Sequence, residues 1–91
     1  MKRLYILISK DLDPVYGCVQ GGHAIAQWLL DGNTSWENEY LIFLYADLDK
    51  WELRLSDHTY SKFREPDLDN KLTAIAVESD GKIFKNLQLV R

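Results

Sequence analysis

Two short runs carry most of the side chains in this sequence that can do chemistry. The first, Lys10-Asp11-Leu12-Asp13-Pro14 leading into Gln20-Gly21-Gly22-His23-Ala24, sets a cation and a carboxylate at the end of an apolar stretch. An amide and an imidazole follow. The second, Phe63-Arg64-Glu65-Pro66-Asp67 leading into Leu72-Thr73-Ala74-Ile75-Ala76, adds two carboxylates and a hydroxyl. Imidazole works as acid or base near neutral pH, which makes His23 a candidate to polarise water. Glu65 or Asp67 can accept a proton or hold that imidazole in one tautomer. Gln20, one turn before His23, both donates and accepts and can orient a carbonyl or a ribose. Lys10 can meet a phosphate or an oxyanion, beside Asp11. Thr73 can aim its hydroxyl at the start of the helix.

Each residue also has a plain structural role. His23 can bond a neighbouring loop, and Gln20 can be a solvated flank residue. Lys10 and Asp11 can be a surface pair of little energetic weight. Asp67 can cap its own turn, and threonine is an ordinary strand residue.

The elements that must position these groups are legible in the patterning. Leu4 to Ile8 and Glu39 to Tyr45 are continuous apolar runs, which predict strands covered on both faces. A helix between them makes a right-handed βαβ unit with parallel strands. Asp13 is a good N-cap, Pro14 fits the first helical position, and Asp31-Gly32 closes the helix. Val15, Cys18, Val19, Gly22, Ile25, Ala26, Leu29 and Leu30 share one face, which predicts the buried side. Tyr16, Gln20, His23 and Gln27 form a flanking stripe; Gly17, Gly21 and Ala24 line the other flank. Gly21 and Gly22, adjacent inside a helix, point to close approach of a strand or a ligand.

Asn33 to Asn38 reads as a polar loop anchored by Trp36. Asp47 can cap a short helix through Ser56, with Leu48, Trp51 and Leu55 at helical spacing. Thr59 to Arg64 and Leu72 to Val77 read as antiparallel strands joined by the loop Pro66 to Asn70. Ser79-Asp80-Gly81 turns the chain, and Ile83 to Leu87 suits helix or strand. The expected fold is a single α/β domain: a three-layer α/β/α arrangement on a mixed sheet of about four strands.

The totals narrow the function. The 91 residues fit one domain, and 46% apolar residues with eleven aromatics are ample for a folded core. Eleven Lys and Arg against fourteen Asp and Glu give a net charge of −3, whereas nucleic-acid binders usually carry a basic excess. The one cysteine, Cys18, has no internal disulfide partner and reads as helix packing. The apolar run after Met1-Lys2-Arg3 is too short for a signal segment or a membrane span, so the expectation is a cytoplasmic protein. His23 and His58 are far apart and Cys18 stands alone, so no metal-ligand spacing is present. No phosphate-loop or dinucleotide fingerprint occurs. Trp28, Trp36 and Trp51 can stack a base, or pack in the core or a lid. A short chain with an exposed Trp36 suits a homodimer, which would enlarge a small core.

A strand ending in Lys-Asp-Leu, followed by a helix bearing Gln-x-x-His-Ala, resembles the type 2 peptidyl-tRNA hydrolases. The runs Phe63 to Leu68, Thr73 to Ala76 and Phe84 to Leu89 are similar to segments of the small bacterial and phage-type relatives of that family. The resemblance implies a four-stranded α/β/α domain. It also implies cleavage of the ester between a peptide and the terminal ribose of tRNA, without metal or cofactor. Tyr16 or Gly17 stands where typical members carry a lysine, and Lys10 can take its place. Glu65 and Asp67 are the candidates for the carboxylate of the family's loop before the last strand. The contrasting expectation is a catalytically silent module on the same fold, holding a nucleotide-like ligand or a protein partner.

Overall fold

The computed structural model describes residues 2–91. Four strands form one mixed sheet in the order β2-β1-β4-β3. They are β1 (Arg3–Ser9), β2 (Tyr40–Ala46), β3 (Tyr60–Glu65) and β4 (Lys71–Glu78). β1 runs parallel to β2 and antiparallel to β4, and β3 runs antiparallel to β4. Helix α1 (Pro14–Leu30) links β1 to β2, and the short α2 (Leu48–Arg54) links β2 to β3.

α1 covers one face of the sheet, over a core that includes Leu4, Ile6, Ile8, Trp28, Ala74 and Ala76. α2 covers the other face, where Trp51 and Phe84 meet with ring centroids 5.1 Å apart over Leu7, Leu44, Ile75 and Val77. The three-layer α/β/α arrangement is therefore as expected. β1 and β4, flanked by strands on both sides, are buried from Leu4 to Ile8 and from Leu72 to Val77.

The start of α1 follows its sequence signals. The Asp13 carboxylate accepts from the Tyr16 amide at 2.9 Å, and Pro14 opens the first turn. The buried face is not the expected one. Gly17, Gln20, Gly21, Ala24 and Trp28 face the sheet, while Val15 is 77% and Leu30 80% exposed. Cys18 and Val19 are exposed as well, so Cys18 is not a packing residue. The reason is close approach. A Cβ on Gly17 would lie 2.7 Å from Cγ2 of Ile8, and one on Gly21 would enter the Phe43 ring. The small residues let the helix axis settle onto β1, and the larger apolar stripe is left outside.

Other departures are smaller. β2 is an edge strand, so Tyr40 and Leu41 are half exposed rather than covered on both faces. Its outer edge takes the C-terminal segment, with the Val90 amide donating to the Phe43 carbonyl at 3.0 Å. α2 is shorter than expected, and Asp47 precedes it without a side-chain cap bond. Residues 66–68 form a 3-10 turn rather than a plain loop, as do residues 82–84. Trp36 is buried and donates to the Tyr40 carbonyl at 3.0 Å, so it offers no exposed surface for a dimer. Trp28 and Trp51 are buried too. Among the described residues, no helix is long and apolar enough to cross a membrane.

Candidate functional site

The structure brings six of the candidate residues together where the first turns of α1 meet the β3–β4 end of the sheet. Gln20 is at the centre and has no solvent exposure, so it is not a solvated flank residue. Its Oε1 accepts from the Thr73 hydroxyl at 2.6 Å, and its Nε2 donates to Oε1 of Glu65 at 2.9 Å. Both ends of the amide are engaged, which satisfies a buried polar group that would otherwise be costly.

A β-bulge aims Thr73 at the helix. Phe63 opposes Ala74 and Arg64 opposes Leu72, which leaves Thr73 as an extra residue in β4. An inserted residue breaks the strict alternation of faces, so Thr73 and Ala74 both serve the α1 side. Thr73 therefore holds Gln20, which makes it a positioning residue.

Glu65 is partly buried and is the acid that organises the turn. Its Oε2 accepts from the Asp67 amide at 3.4 Å, at the start of the 3-10 turn. The expected cap is thus reversed: Glu65 caps, and Asp67 is an exposed turn residue. Tyr16 is half-buried close to both carboxylates. Desolvation, then the negative charge of Glu65 and of Asp67, raises its phenol above the ordinary tyrosine value. His23 is exposed and stacks on Phe63, with centroids 4.4 Å apart and planes 13° apart. Phe63 and Glu65 both lie on β3, so the ring that His23 stacks on and the carboxylate that Gln20 binds belong to one strand.

Lys10 and Asp11 belong to a neighbouring cleft of about 450 Å³, lined also by Asp47, Arg64 and Lys71. It opens at the carboxyl ends of the parallel pair β1 and β2, where open α/β sheets bind ligands. Asp11 accepts from Lys71 and from Ser9. The Lys71 bond first, then the Ser9 bond, holds its carboxyl below the usual range. Lys10 is exposed, and its amide donates to the Ala46 carbonyl at 3.1 Å. Lys71 opposes Glu65 in the β3–β4 register, so one strand pair joins the two groups of residues.

Arg64 and Lys71 are cations that the motif reading did not select. The signal was present in the hairpin: two strands joined at residues 66–70 bring their ends together.

Comparison with known proteins adds the fold. No family model matches the chain, and no curated protein matches it. A solved structure of a protein of unknown function from Agrobacterium tumefaciens is similar, with a TM-score of 0.69 at 15% sequence identity. The likeness covers 97% of this chain and 96% of that one, so the two share the whole fold.

Proposed function

We propose that this chain cleaves the ester joining a peptide to the terminal ribose of tRNA. One observation carries the reading: Gln20, fixed by Thr73, holds the Glu65 carboxylate near the Tyr16 phenol, on the strand whose Phe63 the His23 ring stacks on. Ester hydrolysis needs a base to take a proton from water and a donor for the developing oxyanion. In this reading Glu65 or His23 takes the proton. Tyr16, kept protonated by its surroundings, donates to the oxyanion. Lys10, Arg64 and Lys71 in the adjoining cleft meet phosphates of the acceptor end.

The test is ester cleavage of N-acetyl-aminoacyl-tRNA by the purified protein, with His23→Ala and Glu65→Gln in parallel. The expected result is cleavage that drops by roughly 10²–10⁴ in a variant lacking the base. Absence of cleavage at high protein concentration overturns the proposal.

A second reading, a silent binding module, is favoured by charge. Two carboxylates flank Tyr16, and Lys71 is tied to Asp11. Such a module would show a ligand-dependent rise in melting temperature without turnover. Steep salt dependence of tRNA binding would mark phosphate contacts.

A further inference from the structure

We propose that the outer face of α1 is the contact surface of a homodimer, with the two helices antiparallel and crossing at Gly22. The seventeen residues of α1 include no Asp, Glu, Lys or Arg. A helix on a protein surface ordinarily turns charged residues to solvent. Here the face opposite the sheet holds Val15, Cys18, Val19, Gly22, Ala26, Leu29 and Leu30, all exposed. The four large side chains are 77%, 52%, 52% and 80% exposed in chain order. Together the stripe presents on the order of 600 Å², at the upper end for a monomer's largest apolar patch. It approaches the ~800 Å² per partner of a standard interface.

Gly22 supplies an independent reason. Glycine inside a helix costs roughly 1 kcal/mol against alanine. Gly17 and Gly21 are explained by Ile8 and Phe43, but a Cβ on Gly22 would meet nothing within 4 Å. The space it leaves open is outside the protomer, and it lies at the midpoint of α1. A two-fold axis there sets Cys18 against Ala26 of the second copy, small against small, which permits close helix approach. The same axis brings Leu29 and Leu30 of one copy over the N-terminal half of the other helix. That half borders a largely apolar groove of about 540 Å³, lined by Pro14, Val15, Cys18, Val19 and Val90, with Arg91 at one side. Groove and knobs therefore occur on one chain at the spacing a two-fold axis requires. Antiparallel macrodipoles favour the same orientation. A membrane surface is a poorer occupant, because interfacial helices carry Lys and Arg on their polar face.

Sedimentation equilibrium at tens to hundreds of micromolar tests the proposal. The intact chain is expected at twice its 10.6 kDa mass. Val19→Glu, at an exposed position, is expected to be monomeric with an unchanged circular-dichroism spectrum. Ala26→Cys, with native Cys18 opposite, is expected to give a covalent dimer under mild oxidation. Cys18→Ser in that background should abolish the cross-link. A monomeric intact chain overturns the proposal, as does a dimer that survives Val19→Glu. A dimer whose Ala26→Cys form cross-links as well without Cys18 as with it overturns the antiparallel geometry.

Discussion

Thr73 donates to Oε1 of Gln20 at 2.6 Å across 53 residues of sequence, and this bond decides which way the Gln20 amide points. With Oε1 occupied, only Nε2 is left for Glu65, and it donates there at 2.9 Å. Thr73→Val keeps the shape and removes the donor. It leaves a fully buried acceptor without a partner, which costs about 1–3 kcal/mol. Thr73→Ser keeps the hydroxyl and should recover most of that loss. Urea denaturation of the three proteins checks the order; equal stability of the Val and Ser variants would show that the bond does not fix the amide.

The ends of α1 are legible in sequence and its inward face is not, for a physical reason. Asp13, Pro14 and Asp31-Gly32 act locally, so their effect is read one residue at a time. Which side turns inward depends on what lies across the interface. The apolar stripe through Val15, Val19, Leu29 and Leu30 is the more hydrophobic one, yet the flank of Gly17, Gly21 and Ala24 can approach the strands closely. Gln20 is buried there because Thr73 and Glu65 satisfy it, and those partners are distant in sequence. The strand pairing of the last hairpin followed from short connection length, whereas the bulge at Thr73 left no mark that alternation could show.

Adjacent glycines should respond with opposite sign. Gly21→Ala places a methyl against the Phe43 ring and 3.0 Å from Cγ2 of Ile6. Overpacking of this kind costs about 1–3 kcal/mol. Gly22→Ala meets nothing and gains helix propensity, worth up to about 1 kcal/mol. Thermal unfolding at concentrations too dilute for self-association measures both. A loss at Gly22 as large as that at Gly21 would contradict the packing of α1 on β1 and β2.

Acid should destabilise the fold through carboxylates held by partners. Glu52 accepts from Lys62 at 2.6 Å and from Tyr60 at 3.1 Å, and the Lys62 bond first holds it below the usual range. A depressed value means stabilisation that is complete above the unfolded pKa, near 4.3, and lost as pH falls through the folded one. Solvent screens the half-exposed pair, so Glu52→Gln should cost no more than about 1 kcal/mol at neutral pH. The difference between the two proteins should shrink in strong acid. Denaturant midpoints at neutral and acid pH check the sign; a gap that widens in acid would overturn it.

The Tyr16 phenol reports on Glu65 directly. Burial raises its pKa first, and the charges of Glu65 and Asp67 raise it further. The group stays neutral through the physiological range and ionises later than free tyrosine, whose value lies near 10. Glu65→Gln removes one of the two charges, so the titration should move back toward the ordinary value. Asp67→Asn should move it less, because the Asp67 charge acts on the phenol more weakly than that of Glu65. An NMR titration of the tyrosine ring carbons resolves the shift, with Tyr16→Phe identifying the signal. The same Tyr16→Phe protein separates two roles. If the phenol stabilises an oxyanion, ester cleavage falls by about 10²–10³ in kcat with KM little changed. If it only fills space beside Glu65, kcat is retained and the phenol has no part in the chemistry.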